Sequence, residues 1–210
     1  AWDKKSTYTY HRDALNQLVA EVLKAQFPDI VGTITAKVTK DPTKPGALME
    51  YAPFADTINA PMRSQHGSHF AVKRDLKGKV LDTKGFDSDA VVENLAPLLH
   101  EFYHARAIKG TGEYSKGAAM GGQEWQVMLE NAITAGFPSI DSKSGHVNKM
   151  EEFLASATTI KRLQAAKIPV KGRLAQAAEN LPQLEALHPW LSDYINTWQT
   201  PELSRKESTK

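Results

Sequence analysis

Apolar residues recur at helical spacing near the start of the chain. Leu15, Leu18, Val19, Val22 and Leu23 form one stripe, Asp13 precedes it as an N-cap and Pro28 follows it as a stop. The pattern predicts an amphipathic helix over 13–27 with a packing role. The period then changes. Residues 30–39 read I-V-G-T-I-T-A-K-V-T, β-branched and alternating, and predict a strand. Residues 41–46 form a turn around Pro42 and Pro45-Gly46. Residues 47–68 carry Pro53, Pro61 and Gly67 with little periodicity, so they read as loop with one short strand near 48–51. Two further strands, 69–72 and 79–81, flank Lys77-Gly78 as a hairpin.

The second half is helical in pattern. Asn94 is the expected N-cap of a helix whose first turn holds Leu95, Ala96 and Pro97, and which stops at Gly110. Leu95, Leu98, Leu99, Phe102, Tyr103 and Ala107 leave it little polar surface, so it should be mostly buried. A Gly- and Ser-rich loop over 109–122 follows. Four more helices are expected, over 123–133, 149–164, 174–187 and 189–198, with a polar loop over 139–146. Residues 200–210 are polar and charged and predict a disordered tail.

Composition narrows this picture. At 41% hydrophobic and 24% charged residues, the 210-residue chain can bury a core. The expected organisation is one domain over 1–200, with a helix and sheet over 1–90, a helical half over 91–200, and the tail 201–210. Net charge is only +2, with scattered basic residues, which argues against nucleic acid as a partner. No apolar run has the length of a membrane helix, so no membrane insertion is expected, and no signal peptide is visible. The start at Ala1-Trp2-Asp3, without Met, reads as an excised domain or a processed product. Cysteine is absent, so a metal would have to be held by His and carboxylate.

Such a set lies in the buried helix. His100-Glu101-Phe102-Tyr103-His104 has the form H-E-x-x-H. Residues four apart share a helix face, so both imidazoles can meet one Zn2+ ion. Glu101, about 100° round the helix, can act as general base on a water. Buried histidines and a buried glutamate need partners, and a metal supplies them.

A catalytic zinc takes a third protein ligand. Glu124 lies 20 residues after His104, beside the Trp125-Met128-Leu129 stripe, and reads as a buried carboxylate. It is the first choice. Glu151, Glu152 and His146 are the other reaches. The stripe of their helix is Met150, Phe153, Leu154 and Ala157; Glu152 falls about 160° from its centre and Glu151 about 100°, which makes both look solvated. Oxyanion stabilisation could come from Tyr103, Tyr114, His146, His66 or His69, with Tyr103 better explained by packing and Tyr114 and His146 better placed on flanking loops.

The motif, its Gly-rich loop and Glu124 resemble the Glu-ligated zincins, or gluzincins. More narrowly, Glu124-x-x-Val127-x-x-Glu130-Asn131 with Gly136-Phe137-Pro138 is similar to a segment of zinc-metallopeptidase domains in bacterial polymorphic toxins and secretion effectors, including domains fused to type VI secretion spikes. Ser139-Ile140-Asp141 departs from the Arg and Tyr common there. The resemblance covers residues 98–138. It implies a zincin-like fold, and the elements read above make that fold α+β, with a small antiparallel sheet from residues 30–82 over the zinc helix and a helical C-terminal half. It also implies one Zn2+ held by His100, His104 and Glu124, with Glu101 as catalytic base. Glu130 and Asn131 would brace the zinc helix or its loop. The implied substrate is a protein or peptide, and a cognate immunity protein is an implied partner. Secretion, or delivery into a target cell or its periplasm, would be the setting. Glu152-Phe153-Leu154-Ala155 separately resembles the E-F-x-A helix that supplies the third ligand in anthrax-lethal-factor-like peptidases, which keeps Glu152 open. Two other functions fit the residues: a non-catalytic zinc-stabilised module of a phage or secretion apparatus, and a zinc amidase acting on cell-wall peptide.

Overall fold

The stripe at the start of the chain forms a helix in the computed structural model. It describes residues 12, 15–16, 18–31, 36–43, 47, 49–60, 73–74, 80–82, 88–111, 123–141 and 149–199. Helix α1 comprises Val19–Leu23, wound as a π-helix, and Lys24–Gln26, wound as an α-helix. The Lys24 N–H reaches the Val19 carbonyl, five residues back. Leu15, Leu18, Val19 and Leu23 are buried. Pro28 ends α1 but opens a new turn, α2 (Pro28–Val31), because a proline's fixed φ and missing N–H suit a first helical position. Ile30 and Val31 donate their N–H groups to the Phe27 carbonyl at 3.1 and 3.0 Å. Of the strand expected over 30–39, Ile30 and Val31 are therefore helical, Lys37–Val38 forms β1, and residues 32–35 lie outside the described residues.

β2 (Glu50–Ala52) stands where a short strand was expected, and β3 (Thr57–Asn59) falls in the stretch read as loop. The order is β1-β3-β2, with β3 parallel to β1 and antiparallel to β2. The sheet is thus mixed, not antiparallel as expected. A three-residue strand carries little alternation, and the flanking Pro53 and Pro61 hid β3. β4 (Lys73–Arg74) and β5 (Val80–Asp82) make a separate antiparallel ladder. The expected strand over 69–72 lies outside the described residues.

Side chains finish both outer strands of the sheet. On β1, the Asn16 carboxamide accepts from the Val38 N–H at 2.9 Å and donates to the Val38 carbonyl at 3.0 Å. An edge strand presents unpaired backbone groups, and Asn16 pairs two of them. On β2, Tyr51 lies opposite Ile58. The Ile58 carbonyl faces the other way and accepts from Thr39 at 3.0 Å. Tyr51 therefore sits at a non-hydrogen-bonded position, with its N–H directed off the edge. That N–H donates to Glu101 Oε2 at 2.7 Å.

α3 (Ser88–Thr111) begins six residues before the expected Asn94 cap and runs one past Gly110. Pro97 is therefore interior. An interior proline costs about 3 kcal/mol, but Leu95, Leu98, Leu99 and Phe102 are all buried, at roughly 1.5–3 kcal/mol each. Burial outweighs the lost bond, so the helix runs through.

The chain divides after Arg106, within α3, into two compact units, 1–106 and 107–210. The second holds α4 (Gln123–Thr134), α5 (Lys149–Ala165), a 3₁₀ turn (Gly172–Leu174), α6 (Ala175–Leu187) and α7 (Trp190–Gln199), close to the expected bounds. α5 packs against α4, α6 and α7. α4 closes on Gly136 at φ +92°, whose N–H bonds the Ile133 carbonyl while that of Phe137 bonds Ala132, both at 3.0 Å. Two caps of this kind satisfy the last carbonyls of a helix. Among the described residues no helix is long and apolar enough to cross a membrane. The tail 201–210 lies outside the described residues.

Candidate metal centre

α3 carries the H-E-x-x-H residues with the burial their surroundings demand. From Asn94 to Ala105 every side chain is buried except Pro97 and His100, which are half-buried. His104 is 6% exposed and Glu101 8%. One helical turn puts His100 Nε2 and His104 Nε2 3.0 Å apart, with the rings edge to face. Two nitrogens each about 2.0–2.1 Å from one tetrahedral ion lie roughly 3.3 Å apart, so the imidazoles stand nearly at the spacing of a shared ion.

The carboxylate that joins them is Glu152. One ligand atom each from His100, His104 and Glu152 lie within 4.8 Å of one another, and this group can hold a metal ion. Two imidazole nitrogens and a carboxylate oxygen form a donor set that suits zinc, whereas magnesium and calcium favour oxygen alone. Family models, curated proteins and solved structures offer no match to this chain. Its own donor atoms are therefore the ground for a functional reading.

Two expectations about burial are corrected. Glu124 is exposed, in the first turn of α4, where its charge complements the positive end of the helix dipole. It is not in the group with His100 and His104. Glu151 is 1% exposed and Glu152 half-buried, where both had looked solvated. Helical-wheel geometry failed on α5 because that helix has no single apolar stripe. Its buried residues include Phe153, Leu154, Ala155, Ser156, Ala157, Thr158, Thr159 and Ile160, on every side of the helix. The legible signal was the absence of charge from Phe153 to Ile160, which marks a helix surrounded by neighbours.

The remaining candidates divide in two. Tyr114, His146, His66 and His69 lie outside the described residues. Tyr103 is buried on α3. Asn131, expected near the zinc helix, instead meets His188 Nε2 at 3.1 Å. That pair adjoins an aromatic cluster in which Trp125 packs against Trp190 and Tyr194, with ring centroids 4.5 and 5.0 Å apart.

Sequence reasoning missed one participant, the Tyr51 backbone. Its N–H holds Glu101, and its O–H donates to Asp56 Oδ1 at 2.9 Å. Asp56 has a positive φ of 48° in the turn from β2 to β3. A backbone group is invisible to motif reading, since any residue but proline supplies it.

Proposed function

We propose that this chain is a zinc-dependent metallopeptidase, with zinc held by His100, His104 and Glu152 and with Glu101 as general base. The observation that carries this reading is the convergence of those three ligand atoms one residue from a buried carboxylate. Zinc at such a site polarises a carbonyl and acidifies water. Glu101 takes a proton from the attacking water as its oxygen bonds to the scissile carbon. The same proton passes to the leaving nitrogen as the C–N bond breaks. The products are a carboxylic acid and an amine, the acid's proton passing on to the amine to give carboxylate and ammonium, and the carboxylate of Glu101 is restored.

Glu152 as third ligand favours the likeness carried by Glu152-Phe153-Leu154-Ala155 over the one carried by Glu124. The effector setting, with a protein or peptide substrate and an immunity partner, rests on the likeness of residues 98–138 alone. A second reading has one observation behind it. Glu101 already accepts a backbone hydrogen bond, as a purely structural edge cap would, and a zinc-stabilised binding module needs no more.

Glu101→Gln separates the two. It keeps an oxygen acceptor for the Tyr51 N–H and removes the base. The peptidase reading predicts unchanged zinc content and a loss on the order of 10²–10⁴-fold in hydrolysis of fluorescently labelled casein. Equal turnover by variant and wild type would overturn the mechanism.

A further inference from the structure

We infer that the backbone N–H of Tyr51 is a positioning group for Glu101, holding the base in register by its Oε2 so that Oε1 is the oxygen presented to water. The inference rests on the metallopeptidase reading and adds a role for β2 to it.

Three observations converge on that role. The bond is short, 2.7 Å, and buried. The N–H it uses is spare, because Tyr51 occupies a non-hydrogen-bonded position opposite Ile58. Tyr51 itself is anchored at a second point, its O–H on Asp56 in the adjoining turn. The comparison with the other edge of the sheet sharpens this. Asn16, which reaches β1 from the first helical stretch, pairs with both the N–H and the carbonyl of Val38, as a neutral strand mimic does. Glu101, which reaches β2 from α3, is acceptor-only as a carboxylate and takes a single N–H. A carboxylate is a poor way to finish an edge when a carboxamide would pair twice. It is a good way to aim one oxygen and leave the other free for chemistry.

A base must stand within hydrogen-bond reach of its proton, and small displacements cost rate steeply. Tyr51→Pro removes the N–H on an edge strand, where proline costs no ladder bond. Tyr51→Val keeps the N–H and removes the ring and the Asp56 contact, so it controls for the side chain. The full chain is compared in three forms, each loaded with one equivalent of zinc. With labelled casein, Tyr51→Pro should lose on the order of ten- to a hundredfold in kcat at unchanged KM and zinc content, and Tyr51→Val, which keeps the N–H and gives up only the Asp56 anchor, should lose about tenfold less than Tyr51→Pro. Independently of turnover, the Tyr51 amide proton in the 15N–1H spectrum should lose its hydrogen-bonded downfield shift in Glu101→Ala and keep most of it in Glu101→Gln, in apo protein as well as loaded.

Wild-type kcat in Tyr51→Pro with zinc retained overturns the positioning role and leaves the peptidase reading intact. A Tyr51 amide unmoved in Glu101→Ala overturns the contact itself. Zinc-loaded wild type without turnover overturns the peptidase reading, and this role with it.

Discussion

Glu101 is where chemistry and architecture meet in a single side chain. Its carboxylate is buried, carries the place of the base in H-E-x-x-H, and accepts the Tyr51 N–H. A buried donor left without its acceptor costs about 1–3 kcal/mol. Glu101→Ala should therefore destabilise the chain by about that amount, and Glu101→Gln by much less; chemical unfolding of both variants measures the difference. At this scale the histidines and Glu101 were legible, because four-residue spacing on an α-helix places donors without reference to the rest of the fold. Glu152 was legible only as an alternative, through Glu152-Phe153-Leu154-Ala155, and its burial was not. Its selection depends on how α5 is surrounded, and a helix buried on all sides defeats stripe reasoning. The burial expected of Glu124 failed for the complementary reason: it adjoins an apolar stripe yet sits exposed in the first turn of α4, where solvent and the helix dipole suit it.

Among the elements, α3 tests whether burial outweighs local propensity. Pro97 breaks the backbone ladder in its interior, and Leu98, Leu99 and Phe102 are fully buried beside it. Leu99→Ala should cost about 2–5 kcal/mol by thermal or urea unfolding. A loss near zero would mean that burial does not hold the helix through its proline. The end of α4 allows a second check. Gly136 has φ +92°, and a Cβ placed there would lie 2.6 Å from the Gln176 side chain. Gly136→Ala should cost about 1–3 kcal/mol from backbone conformation alone; Gly136→Ala with Gln176→Ala would recover only the part owed to contact. The long helices were legible in the sequence because their apolar period extends over several turns. The strands were legible only in part: β1, β2 and β5 overlap expected strands, but two or three residues hold too little period to give bounds or to reveal β3, and the parallel pairing of β1 with β3 depends on chain path.

For the whole molecule, a ligand that binds only the folded state stabilises it by mass action. Zinc at about a hundred times its dissociation constant should add about 2.7 kcal/mol and raise the melting temperature, and a chelator should reverse the gain. The mixed, mostly helical α+β architecture agrees with the fold class expected from the sequence in its coarse form. The central claim is that His100, His104 and Glu152 together hold one metal ion. It is tested most directly by measuring zinc stoichiometry and affinity in wild type, Glu152→Ala and Glu124→Ala, by elemental analysis and titration calorimetry. One ion per chain in wild type and in Glu124→Ala, with affinity lowered at least about a hundredfold in Glu152→Ala, is the predicted result. Wild-type zinc affinity in Glu152→Ala would contradict it.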